Sequence, residues 1–208
     1  TKWLIETLRA HTLGPLTKEQ DGYLEKIYTI NERMIRLTYD MLSALRLEGS
    51  VGIDIEKKAV SIQDIFDQLL ITIGPEAKNK NITIHNKTTE HEIPVINSDT
   101  PLLSAALEIL LSNAINYSPD GKEIIFDVIK KGDEVIFSVQ DFGIGIKDEE
   151  KAHISEKFYR GSNAKTVRPD GTGLGLYIAI EIAKKLGGSV TFDSQVNKGS
   201  TFMIHIPI

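Results

Sequence analysis

Two glycine clusters constrain the fold of this chain more than any other feature of its sequence. The first cluster is Asp141-Phe142-Gly143-Ile144-Gly145-Ile146, and the second is Gly171-Thr172-Gly173-Leu174-Gly175-Leu176. Glycine tolerates positive φ and lets the backbone approach a ligand closely, so the pair predicts a nucleotide cradle, with residues 147–170 as a mobile lid. Asp141 ends the strand before the first cluster, where its carboxylate can accept a hydrogen bond from an adenine amino group.

The composition narrows the class of protein. Of 208 residues, 41% are hydrophobic, which is enough for a globular core. The formal charge of −5 has no block of like charge, so no nucleic-acid partner is expected. The chain lacks cysteine, which excludes disulfides and thiolate metal sites and fits a reducing, cytoplasmic setting. The longest apolar stretch, residues 101–111, contains Glu108 and is too short to span a membrane, so we expect no direct membrane contact.

The sequence pattern of residues 1–49 predicts a helical hairpin that forms a dimer. Gly14-Pro15 ends a short first helix, and Thr17 with Glu19-Gln20 caps a second helix that runs from Lys18 to about Glu48. Because a hairpin of this size buries little surface alone, we expect it to pair with a second copy as a four-helix bundle. The alternative is that its apolar seam packs on its own domain. That seam repeats at steps of three and four, at Leu24, Ile27, Ile30, Met34, Leu37, Met41 and Leu45.

A change in composition at residues 48–52 marks the predicted boundary of a second domain, residues 50–208. The residue pattern of this domain predicts both helices and strands. Helices are predicted over 60–79, with Ser61 as cap, over about 100–117, with Pro101 in the first turn, and over 174–186. Strands are predicted over 82–86, 94–96, 123–130, 134–140, 189–194 and 201–206.

The helix that ends at Tyr117 carries candidate binding residues. Ile109, Asn113, Asn116 and Tyr117 share one of its faces. The amide oxygen of Asn113 can ligate Mg²⁺, which prefers oxygen donors and bridges phosphates, and Tyr117 can stack over a base. The alternative is that these asparagines only hydrogen-bond a loop.

Neither glycine cluster is specific alone. The second has G-x-G-x-G spacing and no preceding strand, unlike a dinucleotide fingerprint, but it opens a helix whose free N–H groups suit polyphosphate. Asp141-Phe142-Gly143 matches the DFG motif of protein kinases. However, no H-R-D or V-A-I-K motif precedes it, and the glycine loop follows it instead of preceding it.

The ordered combination of motifs is specific. The asparagine helix, the first cluster, Lys157-Phe158-Tyr159-Arg160, the second cluster and Gly199-Ser200-Thr201-Phe202 follow one another along the chain. In this order and spacing the chain resembles the sensor histidine kinases of two-component systems, from about Leu4 to Pro207. The motifs correspond to the N, G1, F, G2 and G3 boxes of that family, and the hairpin resembles its dimerisation and phosphotransfer module.

The resemblance implies an α+β fold: the helical hairpin followed by a two-layer α/β sandwich with a mixed sheet, which binds ATP as in Hsp90, gyrase and MutL. It implies that Asp141 reads the adenine amino group, that Asn113 holds Mg²⁺ and acts in catalysis, and that Tyr117 flanks the base. Arg160 would reach the phosphates from the lid as a second catalytic residue. The remaining nucleotide-binding residues it implies are Asn116, Gly143, Gly145, Ile146, Gly171, Thr172, Gly173, Leu174, Gly175, Leu176 and Thr201.

The resemblance also implies a reaction and partners: a homodimer transfers the ATP γ-phosphoryl group to a histidine, for relay to an aspartate of a response-regulator receiver domain. The accepting His-Glu/Asp-x-x-x-Pro segment is expected before Thr1, in a longer protein of which this chain is a piece. None of the five histidines replaces it. We therefore expect these 208 residues to bind ATP without forming phosphohistidine. The resemblance is compatible with a parent protein that is anchored in the inner or cell membrane.

Three departures from the family pattern support a second hypothesis. Ile109 stands where an asparagine is usual, Asn116 where a basic residue is frequent, and Ser155 where an aromatic residue begins the F box. Their expected effect is weaker nucleotide binding. The chain would then be a dimeric, nucleotide-sensing scaffold without catalysis. A third hypothesis is another ATPase of the same superfamily, such as an anti-sigma serine kinase or a chaperone ATPase.

Overall fold

The computed structural model describes residues 2–11, 14–48, 54–88 and 95–208. The chain divides into two compact units, Thr1–Ser43 and Ala44–Ile208. Residues 49–52 of the predicted domain boundary and Pro94, the start of one predicted strand, lie outside the described residues.

The first unit contains the predicted helical hairpin. Helix α1 spans Lys2–Arg9, and helix α2, which continues into the second unit, spans Lys18–Glu48. Ion pairs from Lys2 to Glu32 (3.0 Å) and from Arg9 to Glu25 (2.7 Å) show that the two helices run antiparallel. The predicted cap of α2 is confirmed. The Gln20 N–H donates to Thr17 Oγ1 (3.2 Å), and the Thr17 N–H donates to Gln20 Oε1 (2.9 Å).

The apolar seam of α2 is largely uncovered in the single chain. Ile30 is 58% exposed, Met34 63% and Leu45 60%. Single exposed apolar residues are normal on a protein surface, but a continuous stripe along a helix of this length is not. The pairing of this seam with a second copy as a four-helix bundle stays a prediction.

The second unit begins with the last residues of α2 and then alternates helices and strands. The elements are β1 Lys58–Val60, α3 Ile62–Asn79, β2 Thr83–Asn86, β3 Ile96–Ser98, α4 Thr100–Tyr117, β4 Glu123–Lys131, β5 Glu134–Asp141, α5 Ser162–Val167, α6 Gly175–Lys185, β6 Ser189–Gln195 and β7 Gly199–Pro207. A single 3-10 turn, Asp148–Glu150, lies in the lid. Each predicted strand and helix has a counterpart, with bounds that differ by one or two residues among the described positions.

Five strands form one mixed sheet in the order β2-β4-β5-β7-β6, with β2 parallel to β4 and the other pairs antiparallel. Alternate residues of the central strands, such as Phe126, Phe137 and Ile204, are fully buried against one face. Helix α3 packs there through Phe66, whose ring stacks on Phe126 at 5.0 Å between centroids. Helix α4 contacts α3, α6 and β5. The α+β class with a mixed sheet is therefore confirmed.

Two details differ from the sequence prediction. Val60 belongs to β1 instead of the following helix, because Ser61 has extended backbone angles and its hydroxyl caps α3 by accepting from the Asp64 N–H at 3.2 Å. Strand β1 pairs with β3 in a separate two-stranded sheet that periodicity did not predict, since each strand has only three residues. No helix of the described residues has the length and apolar character needed to cross a membrane.

Candidate functional site

Asp141 is the last residue of β5, and its side chain is buried. Its Oδ1 accepts hydrogen bonds from the Gly143 N–H (2.8 Å) and the Ser200 N–H (3.2 Å). Oδ2 has no hydrogen-bond donor among the described residues and is not sealed from solvent. Burial raises the pKa of Asp141 to about 6, against the lowering effect of the two N–H groups. The carboxylate therefore has one oxygen fixed by the backbone and one available to a ligand.

The first glycine cluster docks against the end of α4. The Ile144 N–H donates to the carbonyl of Tyr117 at 3.2 Å. A Cβ atom at Gly143 would lie 2.8 Å from Asp141 Oδ1, and it would also collide with the Tyr117 carbonyl. Only glycine fits there, because the backbone must pass between the carboxylate and the helix end.

The rest of the first cluster is tied to β6 and to the lid. The Ile146 N–H donates to Ser194 Oγ (2.9 Å), and this hydroxyl also lies 2.9 Å from Ser200 Oγ. Gly145 has a φ of 62°, and its carbonyl accepts from Asn163 Nδ2 in the lid (2.8 Å). The cluster is thus held from both sides by side chains that lie far from it in sequence.

The candidate residues of α4 differ in how free their side chains are. Asn113 and Tyr117 are half-buried, and the Asn113 amide forms no hydrogen bond within the described part of the chain. Asn116 is bound to its own helix, since its Nδ2 donates to the Ser112 carbonyl (2.7 Å) and hydroxyl (3.2 Å). Asn113 is therefore the one of these two amides whose oxygen and NH₂ group are both unused within the described residues, whereas Asn116 keeps only its oxygen free.

The lid contains α5, a short helix that the sequence did not predict. Gly161 precedes it and offers no side-chain cap. Instead, the Glu150 carboxylate accepts from the Ser162 N–H at 2.8 Å, and this bond is the main reason that the pKa of Glu150 is lowered. The Asn163 bond to Gly145 fixes the beginning of α5 to the first cluster, and the Glu150 contact fixes it to the segment that follows the cluster.

Arg160 lies within the lid and contacts lid carbonyls. Its guanidinium donates to the carbonyls of Ala164 (3.0 Å), Pro169 (3.1 Å) and Gly171 (3.1 Å), and also to that of Arg168. A Cβ atom at Gly171 would lie 2.9 Å from the guanidinium carbon. In this structure Arg160 therefore organises residues 164–171, and its predicted contact with phosphates stays a prediction.

The second glycine cluster leads into α6. Gly173 has a φ of 73°, and its carbonyl accepts from the Phe158 N–H (2.9 Å), which joins the cluster to the lid. Thr172 Oγ1 accepts from the Leu174 N–H (3.3 Å), and Leu174 is fully buried. Gly175 and Leu176 form the first turn of α6, and Gly175 faces Ile109 of α4. This turn offers free N–H groups at the positive end of the helix dipole.

Ser200, which the sequence analysis did not single out, lies next to Asp141. In the β5–β7 register Asp141 pairs with Ser200, whereas Gln140 pairs with Thr201. Alternation along β7 directs the Thr201 side chain to the opposite face of the sheet from that of Asp141. The motif Gly199-Ser200-Thr201 marks the segment, but only the register shows which hydroxyl shares a face with the carboxylate.

Comparison with known proteins fits this geometry. The model of the family described as "Histidine kinase-, DNA gyrase B-, and HSP90-like ATPase" matches residues 98–208, from β3 to the end of β7. The chain belongs to this ATPase family. The match includes α4, both glycine clusters, the lid and Ser200, so every candidate residue described above lies within the ATPase region.

Relatives of this chain include proteins named as histidine kinases. The circadian input-output histidine kinase CikA of Synechococcus elongatus is 30% identical over 205 residues, which are 98% of this chain and 27% of that protein. The sensor-like histidine kinase SenX3 of Mycolicibacterium smegmatis is 31% identical over 205 residues, which are 98% of this chain and 52% of that protein. The chain thus spans about a quarter to a half of the curated relatives it matches.

Two solved structures match the full length of this chain. Full-length ShkA in complex with AMPPNP matches 100% of this chain and 46% of its own, with a TM-score of 0.77 and 24% identity. The histidine kinase AdeS of Acinetobacter baumannii matches 100% of this chain and 95% of its own, with a TM-score of 0.70 and 19% identity.

Proposed function

We propose that this chain is the ATP-binding catalytic core of a sensor histidine kinase, which transfers the γ-phosphoryl group of ATP to a histidine. The observation that carries the proposal is the Asp141 carboxylate, which is buried at the end of β5, where the first glycine cluster begins. Its Oδ1 accepts hydrogen bonds from two backbone N–H groups, and its Oδ2 is available to a ligand. Family membership and the names of the relatives support the reaction.

The adenine end of the proposed site lies at Asp141. Oδ2 accepts a hydrogen bond from the adenine amino group, which guanine lacks at the equivalent position. Tyr117 flanks the base from α4, and Gly143, Gly145 and Ile146 form the floor of the cradle. We add Ser200 to the predicted set, because its N–H orients the carboxylate and its side chain shares that face of the sheet. The predicted role of Thr201 in nucleotide binding is proposed to be through its backbone, because its side chain is directed to the opposite face of the sheet.

The phosphate end of the proposed site lies between α4 and the second cluster. The first turn of α6, together with the backbone of residues 171–174, suits a polyphosphate. Arg160 reaches the phosphates by exchanging some of its carbonyl partners in the lid for phosphate oxygens, which bind guanidinium more strongly. Asn116 contributes through the amide oxygen that its bonds to Ser112 leave free.

Asn113 fits a role in holding Mg²⁺. Its amide oxygen is uncommitted, and Mg²⁺ commonly takes one or two protein oxygens together with phosphates and waters. No cluster of three or more acidic or histidine side chains suited to a metal occurs in the described residues. The proposed ion would therefore be bound jointly by Asn113 and the nucleotide. When bound, it neutralises the charge of the transferred phosphoryl group.

Phosphotransfer tests the proposed function. The 208-residue chain, incubated with radiolabelled ATP and Mg²⁺, is expected to form no acid-labile phosphohistidine. The same chain with a His-Glu-x-x-x-Pro helical segment fused before Thr1 is expected to form it and to pass it to a receiver aspartate. The control carries the fused segment with its histidine replaced by glutamine.

Two outcomes would contradict this account. A stable histidine adduct on the unfused chain would contradict the position of the acceptor. If the fused chain bound ATP and stayed unphosphorylated, the result would favour the non-catalytic scaffold, for which the departures at Ile109, Asn116 and Ser155 are the sequence evidence.

We further propose that α2 mediates a homodimer through its seam. The stripe that includes Ile27, Ile30 and Met34 is exposed in the single chain, and an apolar stripe at coiled-coil spacing is typical of a helical interface. Sedimentation equilibrium is expected to show a dimer. Met34→Glu should raise the dimer dissociation constant at least about 100-fold, because it places a charge in the seam. Arg33→Glu, at an exposed neighbouring position off the seam, is the control. A monomeric wild-type chain would contradict the proposal.

A further inference from the structure

Lys80, which lies outside the sequence motifs, forms hydrogen bonds to the carbonyl end of α4. Lys80 follows the last residue of α3, and its half-buried side chain reaches the last turn of α4. Its Nζ donates to the carbonyls of Ile115 (2.8 Å), Asn116 (3.3 Å) and Ser118 (2.6 Å). These contacts join parts of the chain that are 35 to 38 residues apart.

The chemistry of this contact suits a helix end. The last carbonyls of an α-helix have no partner within the helix, and they form the negative end of its dipole. An ammonium group has three donors and a full positive charge, so Lys80 can satisfy three carbonyls at once. The backbone of Lys80 is fixed as well, since its carbonyl accepts from the Gly121 N–H at 2.8 Å.

The turn that Lys80 holds belongs to the candidate site. Among residues 115–118, the one carbonyl that Lys80 does not contact is that of Tyr117, and this carbonyl accepts from the Ile144 N–H in the first glycine cluster. Gly143 lies against the same carbonyl, and the Gly143 N–H fixes Asp141 Oδ1. A continuous series of contacts therefore runs from Lys80 through the last turn of α4 to the Asp141 carboxylate.

We propose that Lys80 is a positioning residue for the nucleotide. It does not contact the ligand. It fixes the direction of the last carbonyls of α4, so that the Tyr117 ring and the first glycine cluster are already arranged for adenine in the free protein. Binding then does not have to order this segment, which lowers the cost of association. The inference rests on the proposed ATP site and adds a residue from outside its motifs.

The test compares two lysines of the same region. Lys80→Met removes the ammonium group and keeps the length of the side chain, and Lys78→Met removes an equal charge from an exposed position in the last turn of α3. At a temperature where both variants are fully folded by circular dichroism, Lys80→Met is expected to raise the dissociation constant for ATP about tenfold. It should also speed amide hydrogen exchange at Ile144. Lys78→Met should stay within about twofold of wild type.

The outcomes separate this inference from the proposed function. If wild type does not bind ATP, the proposed function fails. If wild type binds and folded Lys80→Met binds equally well, the positioning role fails. If Lys80→Met does not fold, the same two measurements are made on Lys80→Arg. This variant keeps the positive charge and can still donate to carbonyls, but with altered geometry. Faster exchange at Ile144 with weaker ATP binding would support the inference, and faster exchange with unchanged binding would overturn it.

Discussion

Replacing Asp141 with asparagine is expected to weaken ATP binding by about 10- to 150-fold, the cost of a lost and mismatched buried hydrogen bond. The amide oxygen of the new side chain would keep the Gly143 and Ser200 N–H bonds that Oδ1 accepts now. Its NH₂ group would then occupy the place of Oδ2 and face the adenine amino group, donor against donor. Isothermal titration calorimetry measures the change.

Asp133→Asn is the matched control for this variant, because it removes the same charge from an exposed turn between β4 and β5. It should bind ATP as wild type does. Equal affinities for Asp141→Asn and wild type would contradict the assignment of Asp141 to adenine.

The raised pKa of Asp141 adds a dependence on pH to the same prediction. With a pKa of about 6, the carboxyl of the free protein becomes protonated below that pH, so the affinity for ATP should fall between pH 7 and pH 5. In Asp141→Asn this contribution is absent, and subtracting its profile removes the titration of ATP itself. Identical profiles for the two proteins would contradict the interpretation.

The contribution of Asp141 to the pH dependence of folding stability has the opposite sign from that of a carboxyl group whose pKa is lowered by folding. Asp141 has a higher pKa in the folded than in the unfolded chain, where aspartate titrates near about 4. Between about pH 4 and 6 the folded protein thus holds more protons, and its stability should fall as the pH rises through this window. Denaturation of wild type and Asp141→Asn across the window measures the difference.

Replacing Asn113 with alanine is expected to have the second large effect, on Mg²⁺ and on catalysis. The amide is half-buried and bonded to none of the described residues, so its loss should change the stability little. If it ligates the ion, its removal should weaken the effect of Mg²⁺ on ATP binding and slow phosphotransfer in the fused chain by about 10- to 100-fold. Titrations of ATP with and without Mg²⁺, followed by single-turnover transfer, separate the two effects.

Asn79→Ala is the control for Asn113→Ala, because it removes an exposed amide from the last residue of α3. It should leave both measurements unchanged. If Asn113→Ala kept the full response to Mg²⁺, the proposed ligand role of this residue would be wrong.

The sequence predicted those parts of the structure that depend on local pattern. The cap at Thr17 and the helix α2 follow from near-neighbour chemistry and from apolar spacing, and both are confirmed. The order of the motifs predicted the ATPase family, which the match over residues 98–208 confirms. The α+β class with a mixed sheet is confirmed as well.

The parts that the sequence did not reveal depend on contacts between distant residues. Ser200 and Thr201 are adjacent hydroxyl residues that the sequence alone does not distinguish. The pairing of Asp141 with Ser200 shows that the Ser200 side chain lies on the same face of the sheet as Asp141 and the Thr201 side chain on the opposite face. Lys80 belongs to no sequence motif, because its three acceptor carbonyls lie 35 to 38 residues away at the end of another helix. The lid helix α5 has six residues and a cap supplied by Glu150 from twelve residues upstream, so its own segment shows no helix start signal.

Hydrogen exchange of the unmodified chain with and without ATP and Mg²⁺ tests the central claim most directly. Saturable protection is expected in three segments: the end of α4 around Asn113 to Tyr117, the first glycine cluster, which begins with Asp141, and the lid with the second glycine cluster. GTP at the same concentration should protect these segments less. Absence of protection in all three segments at saturating ATP, or protection confined to the rest of the chain, would contradict the central claim.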